Sequence, residues 1–420
     1  MPSVSNVLLV ATGLIVVRWA GQGILNQLNR RNVLKHAGWV PAAFRGQIDD
    51  ATYAKSVNYT LAKNRLSQVD DAWSAIVLLV VLWSGVLPWA FEFLRNYFGT
   101  HAWSGAAFLF VVGVALSIPG LPLEWHQQFR LEERFGFNTT TQRLWWMDRL
   151  KGLLIAVLLG YPLVVLILKL VEWTGSSWWL WAWGAVLLFQ LVLLVAAPML
   201  ILPLFNKFTP LGDGSLRERL LKLGERTGFS AKTIQVMDGS KRSRHSNAFF
   251  TGFGRFRKIV LFDTLIAQLS EPELESVLAH EIGHYKKRHI PKMLAWSALS
   301  SLGAFYLLSV LARQGWFYEG FGFAPGGAAP ALLLFTLLAG TVSFWLTPLG
   351  NYWSRKHEYE ADAYAAVTMG ETVSLSGALR KLTEKNLSNL TPHPVYSAFH
   401  YSHPTLEERE RAMMKRAVGS

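Results

Sequence analysis

Seven stretches of about 20 apolar residues limit what this 420-residue chain can fold into. They run approximately from Val4 to Leu25, Ala75 to Leu94, Ala106 to Leu123, Gly152 to Leu170, Trp178 to Phe205, Met293 to Leu311 and Pro330 to Gly350. A helix rises about 1.5 Å per residue, so each is long enough for a hydrocarbon core roughly 30 Å thick. Only 16% of the residues are charged, where an average soluble domain carries about a quarter. The expectation is a mainly α polytopic membrane protein. Arg18 interrupts the first run, yet no Lys or Arg precedes Val4 as a cleavable signal would require.

The formal net charge of +13 admits nucleic acid, an anionic membrane surface or membrane topology as its cause. Position decides between them. Of the 41 Lys and Arg, 37 lie in the connections after runs one, three, five and seven. This alternation predicts the N-terminus outside, the C-terminus in the cytoplasm, the lipid bilayer as the surroundings and no nucleic-acid partner. Trp178, Trp179, Trp181 and Trp183 then form an outer aromatic belt.

The expected organisation is 1–205 for spans one to five with their connections, 206–291 for a small cytoplasmic α/β unit, 292–350 for the last two spans and 351–420 for a cytoplasmic C-terminal region. The polar connections fall at roughly 26–72, 124–151, 206–291 and 351–420. Within 206–291, Gly212 to Arg226 has helical spacing. Thr233 to Met237, Ala248 to Thr251 and Lys258 to Phe262 read as strands, the last two a hairpin through Gly252 and Gly254.

Cysteine is absent, which removes thiolate catalysis and Cys-ligated zinc. Any metal must be held by His and carboxylates. His280-Glu281-Ile282-Gly283-His284 is such a candidate: histidines four apart share one helix face, and the Glu beside the first is placed to activate water. Ser270-Glu271-Pro272-Glu273 opens that helix as a capping box with Pro in the first turn. With 11 His in the chain, chance would yield about 0.01 such motifs.

Zinc needs a third protein ligand. A metzincin would have Gly and His where this chain has Lys287 and Ile290, so that branch is excluded. His289 is one residue out of register and reads as an interfacial helix residue. Glu358 is the better third ligand. Asp362, one turn further, can accept a hydrogen bond from a metal-bound His, while Glu360 points away and reads as solvated. His284 precedes span six and Glu358 follows span seven, so both lie at the same membrane face.

The H-E-x-x-H followed by Ser354-Arg355-x-x-Glu358-x-x-Ala361-Asp362 resembles the Ste24-type integral-membrane zinc metalloproteases, the CAAX prenyl proteases of the M48 peptidase family. Further matches lie at Leu131 to Asn138, Ser246 to Phe253, Ile259 to Leu265 and His403 to Arg409, so the resemblance spans nearly the whole chain. It implies seven membrane helices forming an α-barrel around a chamber, with a cytoplasmic zincin-like α/β metalloprotease unit. It implies one Zn2+ per chain on His280, His284 and Glu358, with Glu281 as the catalytic base. By the same resemblance His403 stabilises the oxyanion, Arg409 supports it, and Asn247 contacts substrate. Bottom-up, His403 is only a loop histidine before a proline, whereas the strand from Ala248 has the pattern to pair with an extended peptide.

The expected substrate is a peptide or protein, and the resemblance implies a prenylated CAAX-type chain. The membrane would be the endoplasmic reticulum or inner nuclear membrane in a eukaryote, or the inner membrane in a bacterium. An HtpX-like role in membrane-protein quality control is the alternative there. A transporter or lipid-binding chamber with a structural zinc site is the non-enzymatic alternative, and oligomeric state is left open.

Overall fold

The computed structural model describes residues 4–229, 233–251 and 258–418, and the apolar runs lie in helix apart from a break at Ser84 and Gly85. Among the described residues, seven helices are long and apolar enough to cross a membrane. They are α1 (Val4–His36), α2 (Asp50–Trp83), α3 (Ala102–Phe135), α4 (Gln142–Trp173), α5 (Gly175–Phe205), α7 (His289–Leu311) and α8 (Ala328–Met369). Helix α6 (Glu271–Lys286) lies between α5 and α7 and carries His280 and His284.

The helices overrun their apolar runs. The segment 26–72, expected as a connection, is mostly helix: α1 continues to His36 and α2 starts at Asp50. Once a helix is nucleated each added residue gains a backbone bond, so it extends into polar sequence until a cap stops it. Asp49 starts α2 by accepting from Thr52 N at 2.8 Å. The second run is also divided. Gly85, at φ 71°, ends α2 and redirects the chain into a separate helix, Val86–Phe98.

Two cores result. Ile15, Phe108, Leu168, Tyr318 and Leu334 centre the bundle. Leu220, Ile259, Leu261, Leu278, Ile282 and Ala365 centre the α/β unit and bind it to α8. Its sheet contains β1 (Phe208–Pro210), β2 (Thr233–Met237), β3 (Ala248–Thr251) and β4 (Lys258–Phe262), in the order β1-β2-β4-β3. Strands β2 and β4 are parallel, and β3 pairs antiparallel with β4, Ala248 opposite Leu261. The Gly252 and Gly254 connection lies outside the described residues. Strand β1 was not expected; three residues ending in proline give almost no period-2 signal, and Pro210 suits an edge.

Helix α6 is set in place at both ends of its sequence. Glu273 Oε2 accepts from Ser270 N at 2.7 Å and from Lys381 Nζ at 2.8 Å, tying the capping box to the helix Val373–Lys385. Further along, Gly283 lets α6 meet α8 backbone to side: a Cβ there would sit 3.0 Å from Ala361 Cα and 3.1 Å from Ala361 O. That contact sets the spacing of everything the two helices carry. Gly283→Ala gains about 1 kcal/mol of helix propensity but overpacks by about 1–3 kcal/mol. A net loss of thermal stability is expected in detergent, together with weaker metal binding as Glu358 moves off His280 and His284.

Candidate metal centre and active site

His280 and His284 project from the face of α6 that meets α8, where Glu358 and Asp362 lie one turn apart. His280 Nε2 and His284 Nε2 are 3.2 Å apart. Glu358 Oε1 is 3.3 Å from His284 Nε2, and Glu358 Oε2 is 3.5 Å from His280 Nε2. One ligand atom from each of the three residues falls within 4.8 Å of the other two. Glu358 Oε2 is buried with no hydrogen bond among the described residues, with His280 Nε2 at 3.5 Å and Arg409 Nη1 at 3.8 Å, which leaves lone pairs that a cation could take. Two imidazoles and one carboxylate form the donor set of catalytic zinc sites.

The outer support is built from two directions. Asp362 Oδ1 lies 2.8 Å from His280 Nδ1, which turns Nε2 toward Glu358. Arg409, on helix α9 (Leu406–Val418), donates to Asp362 through Nε at 2.8 Å and Nη2 at 2.5 Å. Burial opposes charge on His280, but the hydrogen bond to Asp362 and the nearby Glu358 carboxylate overcome it and lift its pKa to about 9. Burial raises the Glu281 carboxyl above its ordinary range, only partly offset by His280 and His284, which makes it a stronger base.

Two expectations fail on the other side of the cluster. His289 is buried rather than interfacial, with 1% exposure, and its Nδ1 lies 2.9 Å from His284 Nδ1. Glu360 is not merely solvated: its Oε2 lies 3.0 Å from His289 Nε2. The reason is a break in the helix. Arg288 adopts the left-handed conformation, φ 55° and ψ 40°, and ends one helix before α7 begins at His289. In an unbroken helix a residue five positions on would be turned well away from His284.

A cavity of about 1340 Å³ contains Glu281, His280, His284, Asn247, Ala248 and His403. Strand β3, which begins at Ala248, is an edge strand of the described sheet. Asn247 turns the chain into it, with its Oδ1 accepting from Ala248 N and its carbonyl from Phe262 N. His403 reaches in from the C-terminal segment, Nε2 3.4 Å from Glu358 Oε1. With Ser402 it also lines a second, more polar cavity of about 1160 Å³ bounded by α1 and α2. Near that boundary Glu132 accepts from Tyr59 Oη at 2.8 Å and faces His245 Nε2 at 3.5 Å, joining α2 and α3 to the chain just before β3.

A helical membrane bundle with this cluster on two crossing helices defines an integral-membrane metallopeptidase. The family model for the CAAX prenyl protease N-terminal region, five membrane helices, matches residues 29–207, and that for peptidase family M48 matches residues 210–417. CAAX prenyl protease 1 of Saccharomyces cerevisiae is 37% identical, over 89% of this chain and 88% of that protein. The Homo sapiens CAAX prenyl protease 1 homolog is 30% identical, over 91% and 90%. The crystal structure of S. mikatae Ste24p superposes with a TM-score of 0.89 at 34% identity, over 97% of this chain and 98% of that one. The chain belongs to the M48 peptidases, as a multi-pass membrane zinc metalloprotease of Ste24 type.

Proposed function

We propose that this protein hydrolyses peptide bonds of CAAX-type, prenylated substrates at a single zinc site held by His280, His284 and Glu358, facing the cytoplasm. The triangle of those three ligands beside Glu281, in one cavity with an edge strand, carries the reading. A zinc ion there would polarise the scissile carbonyl and acidify a water. Glu281 takes the water's proton and returns it to the leaving amine. His403, across the cluster, donates to the oxyanion as charge develops, and Arg409 holds Asp362 and through it His280. An extended substrate adds to the outer side of β3, an edge strand of the described sheet, with Asn247 and Ala248 beside the scissile bond. The larger cavity offers apolar walls for a prenyl chain, including Leu194, Pro198 and Met293.

Purified full-length protein in detergent should contain about one zinc per chain and cleave a farnesylated CAAX peptide faster than the same peptide without its lipid. Equal rates would remove the prenyl dependence, and cleavage of neither peptide by zinc-loaded protein would remove the activity. Orientation is testable because the chain has no cysteine. A single cysteine at Ser176, in the first turn of α5, is expected to react with an impermeant thiol reagent from outside. One at Ser402 should react only after permeabilisation, and the reverse pattern would invert the topology.

A further inference from the structure

We propose that His289 and Glu360 are positioning residues for the metal, fixing the tautomer and ring plane of His284 through a two-bond relay. The inference rests on the reading of His284 as a metal ligand. His284 directs Nε2 into the cluster, 3.2 Å from His280 Nε2 and 3.3 Å from Glu358 Oε1, so its Nδ1 faces outward. There it meets His289 Nδ1 at 2.9 Å, and His289 Nε2 in turn meets Glu360 Oε2 at 3.0 Å.

Only one arrangement of protons satisfies both contacts for neutral rings. An ionised carboxylate accepts and cannot donate, so His289 carries its proton on Nε2 and keeps a lone pair on Nδ1. His284 must then donate from Nδ1, which leaves its Nε2 lone pair aimed among the other ligand atoms. The relay is also held mechanically. The His289 ring stacks on His357, centroids 4.1 Å apart and planes 13° from parallel, and meets His284 nearly edge-on. Arg288 accepts a left-handed backbone where glycine is the ordinary choice, and that turn is what brings His289 under His284. Each histidine ligand thus has its own carboxylate: Asp362 directly for His280, and Glu360 through His289 for His284.

Zinc affinity of the full chain in detergent, measured by competition with a chromophoric chelator, tests the relay without recourse to activity. His289→Ala and Glu360→Ala are expected to weaken zinc by about 10–100-fold, whereas Glu360→Gln, which keeps an oxygen acceptor, should recover most of it. The absorption bands of the cobalt-substituted protein should shift in the two alanine variants and not in Glu360→Gln. If His289→Ala does not fold, the Glu360 pair decides alone, since that side chain is partly exposed. His284→Ala separates the two levels of the argument. Loss of zinc there, with Glu360→Ala still at parental affinity and spectrum, overturns the relay only. Parental affinity in His284→Ala itself overturns the metal site.

Discussion

Glu281→Gln is expected to lower kcat for peptide hydrolysis by about 10²–10⁴-fold, the usual contribution of a positioned general base, while the purified protein keeps its zinc. The amide has almost the shape of the carboxylate, so α6 and its contacts should survive. What is lost is the ability to take a proton from water. Glu281 stands beside His280 in the cavity but supplies no atom to the ligand triangle, and burial makes its carboxyl more basic than usual. Chelator competition should give the parental zinc affinity. Full turnover by this variant would assign the base to another residue, and loss of zinc would make Glu281 part of the metal's support instead.

Asp362→Ala is expected to damage both the fold and the metal site. The carboxylate is buried, receives two hydrogen bonds from Arg409 and orients His280. Removing one partner of a buried ion pair costs about 3–5 kcal/mol, because the other charge is left without water or counter-ion. Losing the acceptor for His280 costs a further 10–100-fold or so in metal affinity. These two effects can be separated by pairing Asp362→Leu with Arg409→Met. With both charges gone, an apolar contact replaces the pair and most of the stability should return. The metal affinity should not return, since His280 Nδ1 still has no acceptor. Recovery of both in the double variant would mean that Asp362 acts only as Arg409's counter-ion.

Legibility from sequence followed the range of the interaction concerned. The seven spans needed only long apolar runs, and β2, β3 and β4 needed only β-branched and aromatic residues between turn signals. The capping box at Ser270 was local too, and the structure contains it. Helix ends were less legible, because extension of α1 and α2 into polar sequence depends on packing, not on local apolarity. His289 escaped for a different reason. The metzincin spacing, which puts a third His at position 290, left it one residue out of register, although Pro291 signalled a break: proline belongs in a first turn, and here it occupies that of α7. Glu360 was discounted because it points away from the face that Glu358 and Asp362 share, and its partner, His289, comes from beyond that break.

By itself the sequence determined that the chain crosses a membrane in seven helices, that any metal must be met by His and Glu, and which pair of helices would carry them. These follow from composition and from spacings of a few residues, which one helix expresses whatever surrounds it. Only the tertiary structure decided how those helices approach. The close contact at Gly283 and Ala361 brings Glu358 across from His284, Arg409 arrives from the far end of the chain to neutralise Asp362, and a left-handed Arg288 turns His289 inward. Each joins residues whose distance in sequence says nothing of their distance in space, or turns on a single backbone angle that no periodicity encodes.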